Sequence, residues 1–245
     1  MFVLVILTLP LLVRCHPINQ DLLPLDCEDI FNNGSTHSGV YTIYPVGHKR
    51  PVQVYCDMGC AEDDHDLNGR WTVIQRRMDG SVNFYRPWDQ YRNGFGDVNG
   101  EYWLGLQNIF LITWMQKHEL RVEMEDFEHA RVYAQYSSFY IDSESDRYKL
   151  HVSGYVDGGA GDSLSYHSEN PFATFDRDVS SWALSYEGGF WFASYLRANP
   201  NGVYKWGNGV PAYTGVHWYD WKGNYYSLKS IEMKIRRVFL SELEE

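Results

Sequence analysis

Cysteine is scarce in this chain of 245 residues, with only Cys15, Cys27, Cys56 and Cys60 present. That is too few for a small scaffold held open by many bridges. It is also too few for a structural zinc site, because Cys56, Cys60 and His65 lack a clear fourth ligand. Positive charge is short as well: 21 Lys and Arg face 32 Asp and Glu, for a net charge of −11. Nucleic-acid phosphate needs clustered cations, so it is excluded as the main partner, and anionic membranes are disfavoured for the same reason. No segment beyond the first 13 residues is long and apolar enough to span a bilayer. Internal repeats, heptad runs and low-complexity tracts are also missing.

Catalytic signatures are missing too. There is no G-x-S-x-G elbow and no H-E-x-x-H pair. The glycine-rich run DGGAGDSL, Asp157 to Leu164, lacks the Lys that a phosphate-binding loop requires. Gly158, Gly159 and Gly161 are read instead as suppliers of positive φ in a tight loop. An enzyme is not expected.

Aromatic residues are abundant, at 16% of the chain with 19 Tyr and 9 Trp. Such side chains join apolar area to a polar tip, which suits β-rich cores and binding surfaces alike. The N-terminus, MFVLVILTLPLLVRCHPINQ, has the length of a signal-peptide core, so residues 1–16 are read as a leader and 17–25 as a short linker. Secretion makes disulfides permissible. Cys27 with Cys56 would close a loop of about 30 residues, worth roughly 3–4 kcal/mol. Cys60 is then the spare thiol, available for an intermolecular bridge. Asn33-Gly34-Ser35 is an N-glycosylation sequon in a turn-rich run.

Alternating β-branched and aromatic residues predict strands at GVYTIYP, PVQVYC, RWTVIQRR, HELRVEMEDF, RVYAQYSSFYI and YKLHVSGYV. Met78-Asp79-Gly80-Ser81 reads as a hairpin turn. A short helix is expected in NFYRPWDQYRNGFG, capped by Asn83 or starting after Pro87, and another is expected from near Gly105. SLKSIEMKIRRV reads as a final strand with its basic residues facing outward, followed by an acidic tail over 239–245. Periodicity fades from Tyr166, and the long irregular stretch 166–226 is expected to present a functional surface. The class is α+β: a mixed or antiparallel sheet with few short helices and a loop-rich ligand-binding half.

In TFDRDVSSW the pair Asp176 and Asp178 is open to two readings, a cation loop or a solvated turn. Taken in order, WTVIQRRMDGSVNFYRPWDQYRNGFG, GEYWLGLQNI, LRVEMEDF, TFDRD, NPNGVY and YYSLKSIEMKIRR resemble the fibrinogen C-terminal globular domain family. LDCEDIFNNGSTHSGVYTIYP and PVQVYCDM fit its opening, so the resemblance covers about residues 25–238, with the domain itself over 26–238.

The resemblance implies a secreted, non-catalytic recognition domain that acts by binding, as a homo-oligomer. Its partners would be extracellular-matrix proteins of microfibril, elastic-fibre or collagen type; the alternative is lectin-like innate recognition of acetylated glycans. It implies calcium at Asp176 and Asp178, with a carbonyl near Ser180, and a first disulfide at Cys27–Cys56. It places a ligand pocket at Tyr186, Tyr195, Leu196, Tyr213 and His217.

The chain departs from the family pattern where that pocket forms. The loop after Asp178 is several residues short. Trp182 and Tyr195 stand where a second disulfide is expected, and Leu196 stands where a histidine is. An altered pocket follows, with Trp182 and Tyr195 expected to stack on each other. The Arg-Gly-Asp motif of some relatives is absent.

Overall fold

The computed structural model describes residues 23–47, 49–59, 69–178 and 181–239. The leader over 1–16, most of the linker over 17–25, Cys60, Ser180 and nearly all of the acidic tail lie outside those residues. The elements in chain order are α1 (Cys27–Asn32), β1 (Gly39–Ile43), β2 (Val52–Asp57), β3 (Trp71–Arg77), α2 (Trp88–Asn93), β4 (Phe95–Gly96), β5 (Tyr102–Trp103), α3 (Leu106–Thr113), β6 (His118–Glu125), β7 (Arg131–Ile141) and β8 (Leu150–Gly158). Then follow α4 (Trp182–Tyr186), β9 (Ala198–Asn199), β10 (Gly207–Asn208), β11 (His217–Trp218), α5 (Tyr219–Lys222), β12 (Tyr226–Ser227) and β13 (Ser230–Arg237).

The main sheet runs β1-β2-β3-β13-β6-β7-β8, and β5 attaches to β3. Every adjacent pair is antiparallel. The α+β class is therefore as the sequence indicates, with the final strand threaded into the centre between β3 and β6. Helix α2 starts directly after Pro87, whose fixed φ suits a helix entry. Asn83 caps nothing there; its side chain accepts from the Tyr85 amide at 2.9 Å instead. Helix α3 starts at Leu106, after Gly105 at φ 101°. Of the three loop glycines, Gly159 and Gly161 take positive φ. Gly158 does not: it ends β8, where a Cβ would meet the Tyr133 ring at 2.5 Å.

Two expectations are corrected. The basic residues of β13 do not face solvent. Ile231, Met233 and Ile235 enter the apolar core, and Lys234 on the opposite face is only 4% exposed. Its ammonium lies 2.7 Å from Asp57 and 2.8 Å from Glu123. Burial opposes that charge, but Glu123 and Asp57 outweigh it and hold the pKa above the ordinary lysine value. Arg236 pairs with Glu119 and covers the Trp71 ring. A central strand has neighbours on both sides, so its second face carries a ladder of ion pairs rather than a wet surface.

The Asp79-Gly80 turn does not close a hairpin either, since β3 pairs with β2, β13 and β5. The turn instead wraps the carboxylate of Glu101, which is fully buried. Glu101 accepts from the amides of Met78, Asp79, Gly80 and Val82 at 2.8, 3.2, 3.0 and 3.0 Å. Arg77 Nε stands 3.5 Å from the same carboxylate. The Arg77 guanidinium donates onward to Pro200 O at 3.2 Å and Gly202 O at 2.6 Å. Gln75, also on β3, donates to Pro200 O and the Asn201 side chain. A rigid strand thereby holds the middle of the loop-rich half.

The apolar core joins the same two halves. Trp103 packs against Tyr91, Phe172 and Trp191 with ring centroids 5.6, 5.7 and 6.1 Å apart. Both indoles find buried acceptors: Trp103 donates to Tyr91 O and Trp191 to Tyr148 O. Cys27 and Cys56 are disulfide-bonded, with Cα atoms 5.4 Å apart, tying α1 to β2.

Glu101→Gln keeps the shape of the side chain and removes its charge beside Arg77. It is expected to lower stability by about 3–5 kcal/mol, the usual cost of breaking a buried pair. Urea unfolding with an unchanged m-value reads this directly; a loss below about 1 kcal/mol would show that the Arg77–Glu101 contact is not structural.

Candidate ligand-binding site

The sequence NPNG, Asn199 to Gly202, organises the loop-rich half. Asn199 is buried, and its Nδ2 donates to Tyr186 O and Tyr213 O, both at 3.1 Å. Asn201 donates to Gly189 O at 2.9 Å. Gly188 is packed so that a Cβ would lie 2.5 Å from Asn201 O. Two tyrosines of the expected pocket, Tyr186 and Tyr213, are thus positioned through their own carbonyls by one amide side chain.

Their rings meet edge to face at 5.8 Å, and Tyr213 meets His217 at the same distance. Tyr186 also stacks flat beneath Trp182, 5.6 Å apart and 5° from parallel. The expected stacking of Trp182 on Tyr195 is therefore corrected. Trp182 and Tyr186 are four residues apart on α4 and share a face, while Tyr195 projects from its loop with 72% exposure.

The expected pocket residues fall into two layers. Tyr195, Leu196 and Tyr213 line a cleft of about 230 Å³ together with Tyr166, Arg197 and Tyr219. Tyr186 and His217 are not in its lining. Leu196 is buried and gives the cleft an apolar patch. The Arg197 guanidinium lies 5.5 Å from the ring centroids of both Tyr166 and Tyr219, and 3.2 Å from the Asp220 carboxylate. The sequence reading missed Tyr166, Arg197 and Tyr219. Tyr166 opens the irregular stretch, but nothing in its neighbours distinguishes it from a core tyrosine.

A buried histidine fixes the backbone beneath this cleft. His167 Nδ1 faces Trp191 O at 2.7 Å and must carry the proton. Its Nε2 then accepts from the amides of Arg197 at 3.2 Å and Ala198 at 3.1 Å. His217, fully buried nearby, makes no hydrogen bond through either ring nitrogen among the described residues, and the Gly215 and Leu196 backbone groups lie near its ring. Burial pushes both histidines down to about 4.

The two aspartates of TFDRD are built into the same frame. Asp176 Oδ1 accepts from the Trp88 amide at 2.9 Å and from Thr174 Oγ1 at 2.7 Å. Asp178 Oδ2 accepts from the Ala183 amide at 2.7 Å, in the first turn of α4. Arg177 between them covers the Trp88 ring at 4.2 Å and approaches Glu144. Among the described residues no group of three or more His, Cys, Asp or Glu is set to hold a metal ion. Two carboxylates on one turn are nevertheless chemically suited to a hard cation, which takes its remaining ligands from carbonyls and water. Ser180 lies outside the described residues.

The pKa shifts give a pH test. A neutral folded His167 with a pKa near 4, against 6.5 when unfolded, binds fewer protons than the unfolded chain between those values. Its contribution is fully present above about 6.5 and is lost as pH falls toward 4. Hydrogen exchange of the Arg197 and Ala198 amides, corrected for intrinsic rates, should show falling protection across that window. Constant protection would contradict the assigned role of Nε2.

A scan against family models matches residues 23–238 to the C-terminal globular domain of fibrinogen beta and gamma chains. Microfibril-associated glycoprotein 4 of Bos taurus is 51% identical over 225 residues, covering 88% of this chain and 86% of that protein. Fibrinogen C domain-containing protein 1-A of Xenopus laevis is 43% identical over 222 residues, covering 87% of this chain and 47% of that protein. The fibrinogen-like globe domain of human ANGPTL2 superposes with a TM-score of 0.81 at 40% identity, covering 87% of this chain and 99% of that one. The chain belongs to the fibrinogen C-terminal globular domain family.

Proposed function

We propose that this chain is a secreted, non-enzymatic recognition protein of the extracellular matrix, and that its cleft binds a protein partner. The observation that carries this reading is the cleft walled by Tyr166, Tyr195, Tyr213 and Tyr219 around Arg197. Tyrosine and arginine dominate the energetics of protein interfaces, because each offers large contact area together with a polar tip. Tyr195 is the outermost anchor at 72% exposure. The likeness to microfibril-associated glycoprotein 4 supports a matrix setting, and no described helix is long and apolar enough to cross a membrane.

Calcium belongs to this reading as a support for the frame. Asp176 and Asp178 would hold the ion, and its charge would fix the turn that caps α4. Through α4 that turn sets Trp182 and Tyr186, and Tyr186 in turn abuts Tyr213. Asp178→Asn keeps an oxygen to cap Ala183 but removes the charge. Calorimetric titration with calcium should therefore show saturable binding in the parent chain and none in this variant. Absence of binding in both would leave Asp178 as a helix cap alone.

The partner is tested on immobilised collagen and tropoelastin, with acetylated albumin as a third surface. Tyr195→Ala should weaken capture on one of the matrix proteins by about 2 kcal/mol, roughly thirtyfold, as removal of an interface anchor does. Retention on acetylated albumin alone, released by free acetate, would replace the protein partner with an acetylated glycan.

A further inference from the structure

We propose that Asn208–Gly209 is a self-modifying site, at which the folded protein converts asparagine to isoaspartate and aspartate. The reaction needs only water. The Gly209 amide nitrogen loses its proton and attacks the Asn208 side-chain carbonyl carbon, expelling ammonia and closing a succinimide ring. Water then opens the ring at either carbonyl, giving aspartate or, with the chain rerouted through the side chain, isoaspartate. An asparagine followed by glycine is the susceptible dipeptide because glycine offers least steric resistance to ring closure.

The sequence holds six such dipeptides, at Asn33, Asn68, Asn93, Asn99, Asn201 and Asn208. Asn68 lies outside the described residues, and the fold sorts the other five. The attacking amide must be free to deprotonate and to swing toward its own side chain, so a hydrogen bond on that N–H raises the barrier. Gly34 donates to Phe31 O at 2.8 Å, Gly94 to Gln90 O at 2.8 Å, Gly100 to Asp97 O at 2.8 Å and Gly202 to Asn199 O at 3.2 Å. Among the described residues Gly209 N–H makes no such bond outside the strand ladders; the adjacent Val210 amide donates to Tyr225 O at 3.2 Å instead.

Asn201 is further restrained by full burial, and the Asn93 side chain accepts from Arg92. Asn208 is exposed, and among the described residues its side chain makes no hydrogen bond. Around Gly209, at φ 79°, nothing lies within 4 Å of where a Cβ would stand, so the backbone has room to turn.

The position gives the conversion a structural consequence. Asn208 pairs with Tyr226 across the two-residue ladder β10–β12. The Tyr226 hydroxyl receives the Phe127 amide at 2.9 Å and donates to Glu128 at 2.7 Å. An isoaspartate inserts one extra backbone carbon into β10 and shifts that register. It also places a carboxylate two residues from Trp206, which is 78% exposed. Ageing of this loop would thus alter the surface of the loop-rich half without any enzyme.

The test is to incubate the folded chain at mildly alkaline pH and map isoaspartate by peptide mass spectrometry with isoaspartyl methyltransferase labelling. The same chain unfolded in urea is incubated in parallel, as is the Asn208→Gln variant. In the folded chain Asn208 should convert about fivefold or more faster than Asn33, Asn93, Asn99 and Asn201, the margin one hydrogen bond provides. In urea the rates at Asn93, Asn99, Asn201 and Asn208 should converge, as should that at Asn33 where it carries no glycan, and Asn208→Gln should remove the leading site alone. Conversion at any of the other four ahead of Asn208, or an unchanged ranking in urea, would overturn the proposal.

Discussion

The buried carboxylate of Glu101 is the constraint on which the arrangement turns. A fully buried charge is tolerable only when it is paired and hydrogen-bonded. Here four amides of the turn, those of Met78, Asp79, Gly80 and Val82, and the Arg77 guanidinium meet that demand. Burial pushes Arg77 below its ordinary pKa, with Glu101 opposing the shift. Arg77 Nη1 then donates to the Pro200 and Gly202 carbonyls. One ion pair thereby fixes the turn after β3, the entry of β5 and the NPNG segment together. The segment 166–226 has little regular ladder of its own, so it depends on such side-chain donors for its backbone acceptors.

From NPNG the order passes outward through single atoms rather than through a second sheet. Asn199 holds the carbonyls of Tyr186 and Tyr213. His167 holds the amides of Arg197 and Ala198. Asp178 holds the first turn of α4. Each of these residues is short or rigid, so little side-chain freedom is lost in fixing it. The exposed tyrosines of the cleft therefore stand on a frame that is already ordered, and preorganisation of that kind reduces the entropic cost of binding.

Much of the sheet was legible, because β-branched and aromatic alternation is a local signal. RWTVIQRR, HELRVEMEDF and RVYAQYSSFYI became β3, β6 and β7. The failures were non-local. Nothing local in KSIEMKIRRV shows that its lysine will meet Asp57 and Glu123 from other strands. Asp79-Gly80 has the composition of a hairpin turn, yet its partner is a carboxylate some twenty residues on. At the site, the positions of Tyr186, Tyr195, Leu196, Tyr213 and His217 came from resemblance, and their division into a cleft layer and a buried layer required the fold. Tyr166 and Tyr219 reach Arg197 across wide sequence gaps, so no window of sequence could join them.

The two residues standing where a second disulfide is expected have taken opposite paths. Trp182 turned inward along α4 and stacks on Tyr186. Tyr195 turned outward and became the most exposed wall of the cleft. A covalent bridge would have tied these two loops directly. In its absence the α4 loop is held by Asp178 and by Asn199 through Tyr186, and the 195–198 loop by His167 and the buried Leu196. Polar bonds to backbone thus do locally what one cross-link would have done between loops. The exchange also leaves a large aromatic side chain exposed at position 195. The supports of the loop-rich half, Asn199, His167 and Asp178, are thus separate from the exposed rim of the cleft at Tyr195.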